Sequence, residues 1–281
     1  MAAPTLPSVG KGTLIVFVTT RDGTLLCADK RLTHGPNDYR DDSTKLAQIG
    51  PNIVFAVSGV PYIEARDGYG NGYDAVTIVN DYFAKSQFED SVFFWNGVKQ
   101  RLFDNFIAYL KPRPYDAWPP TLFPEANHSF TQLLFFFSDK NDRMQVKLIQ
   151  LRYMKQSKPV VEVRSFDVQP YGLYDSLGWS KLDHELKKGH DHRFNDLRED
   201  AVLKPFLTNK LPVADVTTDL ALVFSKRLIE VSNKRGPELG DSPEDIGIGL
   251  TCDCVLVKRT GSVEWIGRNL NVEKSVREGS P

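Results

Sequence analysis

Residues 12–31 read GTLIVFVTTRDGTLLCADKR, and the fold turns on this stretch. Two runs, 13–20 and 24–29, are rich in Val, Ile, Leu, Phe and Thr, which suit a pleated and partly buried surface. Arg21-Asp22-Gly23 lies between them, so the stretch reads as a β-hairpin with a three-residue loop and Gly23 at its left-handed position. With that loop Thr13 faces Arg31 and Ile15 faces Asp29, and the side chains of 13, 15, 29 and 31 share one sheet face. A slip of one residue would move one strand's set to the other face. Two features do not suit a plain hairpin. It starts abruptly on a Gly12-Thr13 step, and it ends on Asp29, Lys30 and Arg31, where a buried strand carries apolar side chains.

The two ends make sense as chemistry. A threonine hydroxyl is a poor nucleophile until a nearby base takes its proton. A cut between Gly12 and Thr13 creates such a base, because an α-amine has an unperturbed pKa of roughly 7.7–8.0. A lysine, unperturbed near ~10.4, serves instead as a fixed positive charge that favours the alkoxide and lowers the pKa of the amine.

Outward from the hairpin, residues 1–12 (MAAPTLPSVGKG) carry two prolines and two glycines and read as a leader without the apolar core of a signal peptide. NIVFAVS at 52–58 is another strand-like run, closed by Gly59. Val76, Val79, Tyr82 and Phe83 recur at helical steps, as do Phe94, Val98, Leu102, Phe106 and Leu110 in a longer helix. KPRPYDAWPPTLFPEAN at 111–127 has five prolines and reads as an ordered surface loop. Strands are expected at 130–137, 145–153 and 160–168, with SDKNDR as a hairpin loop. Residues 172–188 and 195–208 read as short helices, and 215–233 as a clearer one capped by Asp215. LTCDCVLVKRTGSVEWIG reads as a last hairpin that turns at Thr260-Gly261. Segregated runs of strands and helices predict α+β, with two sheets face to face and helices outside. One domain is expected over 13–270, followed by a tail at 271–281.

Composition narrows the function. The chain has 281 residues, 41% apolar and 25% charged, with a net charge of −1, which makes no global case for nucleic acid or an anionic membrane as partner. No run approaches the ~18 apolar residues of a membrane helix, so a cytoplasmic protein is expected. Cys27, Cys252 and Cys254 make neither a disulfide framework nor a zinc set, and Cys252 and Cys254 read as two buried thiols on one strand face. DHELKKGHDH places His184, His190 and His192 beside Asp183 and Asp191, which reads as a solvated helix end rather than a metal site. His34 and His128 stand alone.

The spacing around Thr13 resembles proteasome β-type subunits and their bacterial relatives, the N-terminal-nucleophile hydrolases. In that family a Gly-Thr bond is cut and the freed threonine is both nucleophile and, through its amine, general base. The family has an aspartate sixteen residues on, an arginine eighteen on and a lysine thirty-two on, matched here by Asp29, Arg31 and Lys45. A substrate-binding threonine falls at Thr33, and the glycine whose N–H forms the oxyanion hole falls at Gly59 in AVSGV. The match is close over 12–60 and moderate over 210–267, where EDIGIGLTCDCVLV follows the late helix and Asp245 stands at the acidic position near the threonine. It departs at Ile248, where the family has a serine, and at Leu14, where many subunits have a second threonine. Ser176 is the candidate for a second family serine.

The resemblance implies a four-layer αββα sandwich and a self-processed threonine peptidase with Thr13, Asp29, Lys45 and Gly59 as its catalytic set. Arg31 and Asp245 support them, and no cofactor or metal is needed. It implies an apolar S1 pocket from Leu32, Ser43, Ala47 and Val57, polypeptide substrates, and a homo-oligomeric ring whose unfoldase partner, if any, is unknown. A non-catalytic subunit of the same fold and an amidase acting on a small amide stay open beside it.

Overall fold

A computed structural model of the chain describes residues 13–35, 38–40, 43–63, 65, 72–112, 129–138, 143–154, 160–168, 172–178, 180–240 and 247–273. The opening hairpin is β1 (Leu14–Thr19) and β2 (Gly23–Asp29). A small ladder, β3 (Leu32–Gly35) with β4 (Asp38–Arg40), precedes β5 (Leu46–Gly50) and β6 (Ile53–Gly59). A second ladder, β7 (Tyr62–Ile63) with β8 (Tyr73–Asp74), leads into α1 (Ala75–Lys85) and α2 (Val92–Leu110). Asp74 caps α1 by accepting from the amides of Val76 and Thr77, and Ser91 caps α2 by accepting from that of Phe94.

The central strands are β9 (Ser129–Ser138), β10 (Met144–Met154) and β11 (Val160–Asp167). Then come β12 (Tyr174–Gly178), α3 (Lys181–Lys188), the single turns α4 (Asn195–Arg198) and α5 (Lys204–Leu207), and α6 (Thr218–Arg235). The chain closes with β13 (Thr251–Lys258) and β14 (Val263–Asn271). Among the described residues no helix is long and apolar enough to cross a membrane.

The ten longer strands form two antiparallel sheets, ordered β12-β1-β2-β13-β14 and β11-β10-β9-β6-β5. Strand alternation sorts their side chains into three cores. Ile15, Phe17, Leu26 and Ala28 of the first sheet meet Val54, Ala56, Leu134 and Phe136 of the second. On the far face of the second sheet, Ile53, Phe55 and Val57 pack with Val98, Leu102 and Phe106 of α2. On the far face of the first, Leu14, Val16 and Cys27 pack with Phe224 and Leu228 of α6. The layers therefore run helix, sheet, sheet, helix, which is the expected αββα arrangement. Strands covered on both faces read as continuous apolar runs, as LIVFVT and IVFAVS do.

Four local expectations change. The first hairpin has a two-residue turn: Ile15 pairs with Ala28 and Thr19 with Thr24, not Ile15 with Asp29. Thr20 causes this, because its Oγ1 accepts from the amides of Asp22 and Gly23 and its own amide donates to the Gly23 carbonyl. Gly23 is required by a neighbour and not by the turn, since a Cβ there would lie 2.1 Å from the Val257 carbonyl oxygen of β13. Residues 174–178 form an edge strand on β1 where a helix was expected. Thr217, not Asp215, caps α6, accepting from the amide of Leu220 at 3.1 Å.

The cysteines are the fourth. Cys27 pairs directly with Cys254 across β2 and β13, and their sulfurs are bonded at 2.22 Å. Cys252 keeps a buried thiol with its Sγ 3.8 Å from that of Cys254. Sequence separation of 227 residues hid the pairing, because it depends on which strands neighbour each other.

Candidate active site

The candidate residues gather at one end of the sandwich, where β1 and β5 begin and β2, β6 and β12 end. Asp29 is the centre of this cluster and is fully buried. Its Oδ1 accepts from the Leu14 amide at 2.6 Å. Its Oδ2 accepts from the Arg31 amide at 3.0 Å, the Gly249 amide at 3.0 Å and Lys45 Nζ at 3.1 Å. Burying a carboxylate costs several kcal/mol, roughly, unless partners replace the lost water, and here four donors do so.

Hydrogen bonds to its own sheet and to the other one place Lys45. Its carbonyl accepts from the Val57 amide at 2.9 Å, which ties it to β6. Two residues earlier, the amide and Oγ of Ser43 both donate to the carbonyl of Lys30, at 3.2 and 2.8 Å, which ties the segment to the end of β2. The ammonium thus crosses from one sheet's edge to a carboxylate on the other, and both side chains are nearly sealed from water, at 1% and 0% exposure.

Thr13 is described and buried, just before the first residue of β1. The register found here puts Asp29 on the helix-facing side of its sheet with Leu25 and Cys27, and Thr13 on the inter-sheet side with Ile15 and Phe17. The carboxylate therefore fixes the peptide that follows Thr13 through the Leu14 amide, rather than sharing a face with the threonine. The expected sharing of one face by 13, 15, 29 and 31 is corrected by the shorter turn.

Gly59 ends β6 with φ +85°, a left-handed conformation that only glycine adopts without strain. Thr131 pairs with Gly59 across β9 and its Oγ1 donates to the Val60 carbonyl at 2.6 Å, which steadies this bend. Opposite, Gly178 pairs with Leu14 at φ +96°. A Cβ on Gly178 would meet the Thr13 carbonyl oxygen at 2.0 Å and Ser58 Oγ at 2.9 Å. Ser58 is thus a buried hydroxyl beside the candidate nucleophile and next to the candidate oxyanion glycine. It was not singled out from the sequence, although its alternation with Val54 and Ala56 places it on the inter-sheet face.

The other expectations divide. Arg31 adjoins Asp29 through its amide. Val57 is wholly buried in the core under α1 and α2, and Ala47 packs partly buried against the same core. Leu32 and Thr33 lie on the backbone of β3. Ser176 lies in β12, not at a helix start, and its Oγ donates to the buried Asp183, which Tyr174 also reaches. Ile248 is buried in the helix-side core, and Gly249 beside it supplies an amide to Asp29. Gly12, Asp245, most of loop 111–127 and most of tail 271–281 lie outside the described residues.

The molecule is thus an αββα sandwich with a buried carboxylate–ammonium pair at one end. No protein-family model matches the chain, and no curated protein does. Among solved structures it is similar to an Anbu (Gly-1) mutant from Hyphomicrobium sp. strain MC1, at 14% identity and a TM-score of 0.48, over 92% of this chain and 87% of that one. A likeness of that size assigns no residue a role, so the chemistry rests on the side chains themselves.

Proposed function

We propose that the chain is a self-processed threonine peptidase acting on polypeptides, with Thr13 as nucleophile once the Gly12–Thr13 bond is cut. The observation that carries this reading is Asp29, whose carboxylate holds both the Leu14 amide and Lys45 Nζ at the root of β1. The pair keeps a positive charge next to the peptide that bears Thr13, where an alkoxide develops. In the first half-reaction Thr13 Oγ bonds to the substrate carbonyl carbon and its proton passes to the Thr13 α-amine. The Gly59 amide stabilises the oxyanion, a single donor commonly contributing about 3 kcal/mol. The C–N bond then breaks, the amine returns the proton to the leaving nitrogen, and water hydrolyses the ester to regenerate Thr13. Arg31 braces the end of β2, Asp245 supports the amine, and Thr33 and Leu32 contact substrate, whereas Val57 is sealed in the core and only backs the pocket from behind. Like subunits form a ring around the sites in the cytoplasm.

One observation favours a second reading, a non-catalytic subunit of the same fold. Ile248 is apolar and buried where the resemblance calls for a hydroxyl near the amine. Intact mass decides between them. A chain that starts at Thr13, together with peptide hydrolysis, supports the peptidase. Thr13→Ala is expected to keep residues 1–12 and to lower turnover by at least about 10³-fold, as removal of a nucleophile does. An uncut chain that still turns over peptides would overturn Thr13 as nucleophile.

A further inference from the structure

A cavity of about 490 Å³ opens between the ends of β5 and β14, lined in part by Lys30, Thr44, Asp253, Trp265, Arg268 and Asn269. Ala47, an expected S1 residue, borders the cavity as well, but none of the six polar and aromatic residues named takes part in the proposed peptidase chemistry. The cavity is built by an irregularity in β14. Cys252 pairs with Leu270 and Cys254 with Gly267, so two residues, Arg268 and Asn269, oppose the single residue Asp253. Such bulges re-aim side chains and occur next to functional sites. Asn269 takes φ +55°, an uncommon conformation for a residue with a side chain.

The re-aimed groups form a polar wall. The Asn269 amide donates to Asp253 Oδ1 at 2.8 Å. Lys30 Nζ donates to Asn269 Oδ1 at 2.6 Å and stands 3.6 Å from Asp253 Oδ2, with side-chain exposures of 10% and 7% for the two charged groups. Arg268 lies over the Trp265 ring, its Cζ 4.0 Å from the centroid. Among the described residues its guanidinium N–H groups meet no acceptor. Two cations against one carboxylate leave one positive charge in the lining.

We propose that this cavity binds the carboxylate of a small organic acid or of a peptide C-terminus. The Arg268 fork offers the paired N–H groups that match a planar carboxylate. Lys30 supplies the second positive charge, and Trp265, stacked under Arg268, holds the guanidinium plane in place. One net positive charge suits a monoanion and is too little for a phosphate dianion. The volume falls in the ~300–1,000 Å³ range of small-molecule sites. The site does not involve Thr13, so failure of the peptidase reading would leave it standing.

Calorimetric titration of the full chain tests the proposal with benzoate, benzamide, inorganic phosphate, and one short peptide in free-acid and amidated forms. Benzoate is expected to bind at least tenfold tighter than benzamide. Arg268→Gln, an exposed position that the fold does not need, is expected to weaken benzoate at least tenfold, and Lys30→Met to weaken it too. Preference for the free-acid peptide over benzoate assigns the site to chain ends, and the reverse preference assigns it to free acids. Equal affinity for benzoate and benzamide, tighter binding of phosphate, no binding of any carboxylate, or an unchanged Arg268→Gln variant would each overturn it.

Discussion

Lys45 and Asp29 show how much one buried charge depends on its partner. Their contact is sealed from water on both sides. Lys45→Met would leave the carboxylate with three amide donors but no counter-charge, and breaking such a pair costs about 3–5 kcal/mol. Urea unfolding should therefore show a lower midpoint for Lys45→Met at an unchanged slope. Cys252 gives a pH prediction. Burial pushes its thiol up from 9.0 to about 12, with the Lys226 ammonium opposing this and the carboxylates of Asp29 and Asp253 adding to it. A raised folded pKa contributes stability that is fully present below pH 9.0 and is lost as pH rises toward about 12. Cys252→Ser is expected to flatten that alkaline loss in a thermal scan, and iodoacetamide at pH 8 should label Cys252 only after unfolding. The candidate residues Thr13, Asp29, Lys45 and Gly59 were picked out by the family resemblance, and of these the contact between Asp29 and Lys45 is seen in the structure. Two neighbours were not picked out. Gly249 reaches Asp29 from 220 residues away. Ser58 gains meaning only when Gly178 closes over it.

At the scale of elements, legibility followed the amount of apolar side chain available to show a period. The long helix α2 has Phe94, Val98, Leu102 and Phe106 on its buried face, and this pattern alone located it. Strand β12 is only YDSLG, five residues with two polar side chains, so nothing in its pattern distinguished it from the helix after it. The first hairpin was recognised but its turn was one residue too long, because a Thr20 hydroxyl that bonds two amides leaves no compositional trace. Helix α6 carries an acid-sensitive anchor. Arg227 binds Asp200, ahead of α5, through Nε and Nη2 at 3.0 and 2.8 Å, and Glu230 at 2.9 Å. Burial works to raise both carboxyls, but their hydrogen bonds to Arg227 and Lys234 outweigh it and hold them below the usual carboxylate range. Depressed folded pKa values give stability that is present above the ordinary value of ~4 and is lost as pH falls through the lowered one. Arg227→Gln removes the anchor, so acid unfolding followed by far-ultraviolet circular dichroism should begin at a higher pH.

At the scale of the whole molecule, two sheets and two helical layers followed from the order of strand-like and helix-like runs, whereas the partners across each sheet did not. The sheet order β12-β1-β2-β13-β14 sets the first hairpin of the chain against the last. The bond between Cys27 and Cys254 lies on that seam and encloses nearly the whole domain in one covalent loop. A backbone break anywhere between those two cysteines therefore yields a nicked molecule, not two separable pieces. Limited proteolysis inside the loop should give one full-mass species on a non-reducing gel and two fragments once the disulfide is reduced. Loss of residues 1–12 lies outside the loop and should lower the mass on both gels, so a cut at Thr13 and a cut within the loop can be told apart by their response to reductant alone.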